Sequence, residues 1–132
     1  MNVIDSLIKS VDELTKRVGR LEVHNHYHPI LNLGTPTLLT MTAAGVITRV
    51  RSNHIVDTFG GAASQDLVTI NGGVEGDILL IRAANDARTV VVKDGTGNIL
   101  MPADMTLDND EDIELLYFDG TNWLEITGSS NV

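Results

Sequence analysis

Six apolar residues at the start of the chain constrain its fold more tightly than anything that follows. Ile4, Leu7, Val11, Leu14, Val18 and Leu21 lie three, four, three, four and three positions apart. This is an unbroken heptad, with Ile or Val at position a and Leu at position d. The outward positions Asp5, Ser6, Lys9, Asp12, Glu13, Lys16 and Arg20 are polar. Gly19 is the one weak helix former, at a cost of about 1 kcal/mol relative to Ala. A helix of about 21 residues is roughly 31 Å long and marginal by itself in water. Its apolar stripe is a narrow seam, best covered by copies of the same helix. An amphipathic helix folded back on its own domain is the alternative. The spacing predicts a parallel coiled-coil stalk over residues 1–22.

The number of strands is less direct. A β-branched residue at a with Leu at d leans toward two. Against that stands "RVGRLE", with Arg17 at g, Val18 at a, Leu21 at d and Glu22 at e. It resembles the short trimerisation motif of three-stranded coiled coils, an arginine followed at fixed spacing by two apolar residues and a glutamate. The pairing of Arg17 with Glu22 of a neighbouring strand is sound in any parallel coil. The preference for three comes from the resemblance. The expected trimerisation set is therefore Ile4, Leu7, Val11, Leu14, Arg17, Val18, Leu21 and Glu22.

Beyond residue 40 the periodicity changes. Short β-rich runs recur at 46–51, 53–58, 66–70, 76–83, 88–94, 98–101, 112–118 and 123–127, separated by Gly, Asn and Asp. "DGTGN" at 94–98 and "DGTN" at 119–122 are turn signals. The pattern predicts an all-β body over 41–132, a β-sandwich or jelly-roll-like domain. Residues 23–40, with Pro29, Gly34 and Pro36, read as an extended connector that could cross onto a neighbouring subunit. The whole chain is thus expected to be mainly β with one N-terminal helix.

Charge narrows the function classes. Residues 1–54 carry six Lys/Arg and four Asp/Glu, a net +2, while 55–132 carry three and fourteen, a net −11. An acidic body lacks the basic footprint that nucleic acid requires. No apolar run approaches the roughly 20 residues of a membrane span. The start lacks the basic-then-apolar layout of a signal peptide. With no cysteine, disulfides and thiolate zinc sites are excluded.

Enzyme signatures are thin, and no catalytic residue is expected. "DGTGNI" is followed by no helix and is no nucleotide loop. His54 and Asp57, three apart in a strand, fall on opposite faces, so His54 reads as structural. Asp108, Asp110, Glu111 and Asp112 form an acidic turn that fits no EF-hand spacing and reads as solvated. Glu75, Asp77 and Asp86 read as strand-edge solvation. Trp123 could stack on a sugar, but a single Trp in an apolar strand reads first as core. "ELLYF" at 114–118 is apolar on both faces, which implies cover by a second sheet and by a neighbouring subunit.

The features "GDILLIRA", "TVVVKDGTGNI", "LDNDED" and "YFDGTNWLEI", within residues 73–126, together resemble a β module of structural proteins of tailed bacteriophages. Such modules occur in head-decoration, head-fibre, tail-fibre and spike proteins, where trimers with a stalk are usual. The resemblance implies a non-enzymatic, homotrimeric virion protein that is assembled in the host cytoplasm and exposed on the particle. Its partners would be capsid or tail proteins. The short chain without a long shaft favours capsid decoration or a head fibre. A tail-fibre or spike module that binds a host-surface glycan is the alternative.

"VHNHYHP" remains. In extended backbone, His24, His26 and His28 would share one face. Directly after a three-stranded coil, two of them from each chain (His24 with His26, or His26 with His28) could place six imidazole nitrogens on the axis. Imidazole suits Fe, Ni and Zn, and such His-x-His sites resemble the axial iron sites of phage fibres and spikes. Histidines stacked around water are the alternative.

Overall fold

The computed structural model describes residues 2–25 and 31–131, and the helical side chains as far as Val18. The chain divides into two compact units, Met1–Asn32 and Leu33–Val132.

The first unit is helix α1, Val3–Asn25. Asn2 caps it, since its Oδ1 accepts the Asp5 backbone N–H at 2.8 Å. Asp5 places a negative charge in the first turn, where the helix dipole favours it. The helix runs three residues beyond the expected end of the stalk at Glu22. Val23, His24 and Asn25 carry weak helix propensity, but none of them breaks the backbone ladder as a proline would. The expected extended backbone therefore does not begin at Val23, and His24 is helical. His26 and His28 lie outside the described residues.

The second unit is all β, but it is coiled rather than sandwiched. Strands β1 (Thr37–Thr40) and β2 (Val46–Thr48) form a first coil. β3 (Asn53–Asp57), β4 (Ser64–Leu67) and β5 (Thr69–Asn71) form a second. β6 (Ile78–Ala83), β7 (Thr89–Val92) and β8 (Ile99–Leu100) form a third. Strands of successive coils pair in parallel: β1 with β3 and β3 with β6, β2 with β5, and β4 with β7. The sheets stack as in a β-solenoid. β9 (Met105–Leu107), β10 (Ile113–Phe118) and β11 (Trp123–Ser129) then reverse the direction. β9 closes on β7 and β10 on β6, both antiparallel. β11 lies between β10 and β8.

This corrects the sandwich or jelly-roll expectation. Those folds are built from antiparallel hairpins, which need the same short apolar runs and the same glycine turns. Only the pairing partner differs, and it is set by residues far apart in sequence. The connector is corrected as well. "TLLT" after Pro36 is strand β1, the edge of a six-stranded sheet in its own body. Proline is tolerated just before an edge strand, and the Asn53 side chain ties the Gly34 carbonyl to the body at 2.7 Å.

The core is a set of inward ladders between coils. Ile47 lies beside Ile70, Val56 beside Ala83, Leu67 beside Val92 and Val90 beside Leu107. Leu116 lies beside Leu79, and all ten of these side chains are buried. Two corners depend on glycine. Gly45 and Gly97 both have left-handed φ values, +73° and +63°. A Cβ at either would run into a carbonyl oxygen of the neighbouring coil, that of Asp66 or Val68 respectively.

Candidate functional site

The helix carries an apolar stripe that is exposed among the described residues. Ile4, Leu7, Val11, Leu14 and Val18 are 45–67% exposed, although they are aliphatic and in heptad register. Val3 and Ile8, at g and e, widen the stripe at the N-terminal end and are 84% and 57% exposed. Sequence reasoning passed over these two because the a/d pattern was complete without them. Flanking the stripe, the Ser10 and Thr15 hydroxyls donate to the carbonyls of Ser6 and Val11. Arg17 is exposed at g. The side chains of Leu21, Glu22 and His24 lie outside the described residues.

In the body, His54, Asp57, Asp77, Asp112 and Trp123 are instead committed to structure. The His54 ring is fully buried. Its Nε2 accepts the backbone N–H groups of Val50 and Arg51 at 3.2 and 3.1 Å. Its Nδ1 lies 3.0 Å from the Thr37 carbonyl. Two acceptances on Nε2 place the proton on Nδ1, which donates to Thr37. His54 thus joins the first two coils, and Asp57 on the other face pairs with Arg88.

Trp123 is fully buried. Its Nε1–H donates to the Ile70 carbonyl at 3.0 Å, and its ring lies 4.9 Å from that of Phe118. The Arg49 guanidinium sits 5.8 Å from the Trp123 ring and pairs with Asp77. Trp123 is therefore core and offers no sugar platform, and Asp77 is an ion-pair partner rather than a solvated edge residue. Tyr117, on the outer face of β10, is half-buried.

The acidic turn is also more than solvation. Asp112 is fully buried. Burial pushes its carboxyl up, but backbone N–H groups of Asn131, Asn109 and Asp108 outweigh that and hold it below the usual range. Asp86 accepts the Asp110 N–H at 2.8 Å. Turn chemistry was legible here, but the identity of the anchoring acid was not.

Sequence reasoning missed two residues. Asn98 acts as a side-chain strand: its Oδ1 accepts the Ile70 N–H at 2.9 Å and its Nδ2 donates to the Ile70 carbonyl at 2.8 Å. Glu114 is fully buried, and neither carboxylate oxygen has a hydrogen-bond partner. Among the described residues, no group of three His, Asp or Glu side chains could hold a metal ion. No described helix is long and apolar enough to cross a membrane. The chain matches no protein-family model and no curated protein.

Proposed function

We propose that the protein is a non-enzymatic structural component of a tailed-phage virion, which assembles as a homotrimer through α1 as a capsid decoration or head fibre. The observation that carries the reading is the exposed stripe Val3, Ile4, Leu7, Ile8, Val11, Leu14 and Val18. With three parallel strands each helix faces two neighbours, so the covered sector broadens past a and d to reach Val3 and Ile8. That breadth offsets the lean of a β-branched a position toward two strands. The body supports a structural role from the other side, because His54, Asp57, Asp77, Asp112 and Trp123 are all bonded to backbone or to an arginine.

The virion assignment, with partners among capsid or tail proteins, rests on the resemblance within residues 73–126. The acidic body argues against nucleic acid as a partner. A glycan-binding tail fibre or spike is the weaker reading, since the burial of Trp123 removes its best stacking surface. A transition metal held near the axis by two histidines of each chain, His26 with His28 now that His24 is helical, is a further part of this reading. Elemental analysis of tag-free trimer tests it, and less than one metal per three chains rules it out.

Native mass spectrometry of the full chain tests the central proposal. Three copies are expected, and a monomer at micromolar concentration would overturn the trimer and the virion reading with it.

A further inference from the structure

The two halves of β11 are held differently. Trp123 and Leu124 pair with β10 on one side and with Ile99 and Leu100 of β8 on the other. Past a register shift opposite Leu115/Leu116, Thr127, Gly128 and Ser129 pair with β10 alone. This distal half is exposed, and its far end is pinned by Asn131, whose N–H donates to Asp112 and whose amide donates to the Glu111 carbonyl at 2.7 Å.

Under this half lies Glu114. It stands opposite Gly128 in the ladder, and its carboxylate rests so closely against that glycine that a Cβ there would collide with it. The charged and titratable surroundings are all acidic. Two positions before it, just ahead of β10 and likewise buried, is Asp112, whose backbone donors hold its carboxyl below the usual range. From β11 comes Glu125, opposite Leu116 and so on the same face. β6 presents Ile81 beside it, while Arg82 alternates to the other face and bonds the Asp110 carbonyl. β9 brings Met105 against the same glycine. A buried carboxylate with no donor and only negative neighbours is costly. Burial first, and then the charge of Glu125, push the Glu114 carboxyl up to about 8.

We propose that Glu114 is a proton-binding site that latches the distal half of β11, Thr127–Ser129 with Asn131, onto the body. With its proton on, Glu114 is neutral and tolerates burial under Gly128. Without it, the carboxylate needs water, and the half-strand held on one side only is the piece that lifts. The register shift opposite Leu115/Leu116 is the hinge, and opening bares the β10 edge at Ile113–Leu115. When the latch is open and the carboxyl hydrated, it ionises near its ordinary value of 4.5. When closed, it holds the proton to about 8. The closed state binds more protons between those values, so rising pH favours opening throughout that window and has no further effect above it.

Amide hydrogen exchange across pH 5.5 to 7 tests the latch. After correction for the intrinsic pH dependence of exchange, protection of the Thr127–Asn131 amides in the wild type should fall about tenfold per pH unit, one proton being released per opening. The amides of β6 should show no such slope. In Glu114→Gln, which is neutral at every pH, the slope should vanish. Protection independent of pH in the wild type, or a slope that persists in E114Q, would overturn the proposal. Carboxyl NMR titration of wild-type Glu114 provides a second check that needs no variant. A midpoint well above the ordinary glutamate range is expected, and an ordinary glutamate midpoint would also overturn it.

Discussion

In the β body, Leu67, Ile70 and Ile81 are wholly buried. Along α1, Ile4, Leu7 and Leu14, side chains of the same kind, are each more than 60% exposed. The body completes its own core. Each coil supplies one rung, the next coil covers it, and the antiparallel turn of β9, β10 and β11 closes the stack. The helix has only one wall of a core. A fully buried Leu or Ile gains about 1.5–3 kcal/mol over an exposed one. The body secures that gain within one chain, and in the trimer we propose α1 secures it against two neighbours. On that reading folding and assembly belong to different stretches of sequence, and substitutions in the two units should fail in different ways.

The largest effect is expected in the helix. Leu14→Asp places a charge at the middle of the proposed seam, once from each of three chains. Native mass should fall from three copies to one, while the far-ultraviolet β signal and the melting of the body stay unchanged. A trimer that survives this change would mean the stripe is not the interface.

Trp123→Ala inverts that pattern. Truncating a fully buried Trp costs about 3–5 kcal/mol, and here the Ile70 carbonyl also loses the indole donor. Denaturant unfolding should show a loss of that size. Wherever the variant is still folded, its native mass should remain that of the wild type. A coupled loss of assembly would show that the two units are not independent.

The difference between the units also governs what could be read in advance. The heptad is a local periodicity, so α1 was legible from Ile4 to Leu21, and its overrun to Asn25 is a matter of a weak stop signal. The β runs were legible one by one. Their parallel pairing was not, because Thr37 pairs with His54 and His54 with Ile81, steps of 17 and 27 residues. Coils of unequal length leave no repeat in the sequence. β1 was hidden behind Pro36 and β9 behind Pro102, while 66–70 spans two strands with a corner at Val68. Within the body, nothing in the sequence marked Glu114 as buried without a partner, which only the packed neighbours decide. The similar turns "DGTGN" and "DGTN" conceal different roles. Asp119 caps its own turn through the N–H groups of Asn122 and Thr121, whereas the first turn delivers Asn98 to another coil.

That last residue gives the smallest and most specific test of how the body differs from the helix. β5 has β2 on one side and no strand on the other, where Asn98 supplies one acceptor and one donor to Ile70. Asn98→Ala leaves the Ile70 N–H without its partner and the Ile70 carbonyl with the Trp123 indole N–H alone, at a cost of about 1–3 kcal/mol for a part-buried backbone donor. Asn98→Asp keeps the acceptor for the Ile70 N–H but turns a second acceptor toward a carbonyl. At neutral pH it should cost at least as much as alanine. The ionised acid is disfavoured in the fold, so its folded pKa lies above its unfolded one, and stability should return as acid supplies the missing O–H donor. Melting temperature followed from neutral pH down through the carboxylate range checks this. Asp should rise relative to Ala on acidification. Parallel curves for the two would mean that the Asn98 side chain does not hold β5 and that the Trp123 indole bond to the Ile70 carbonyl, which neither change removes, suffices.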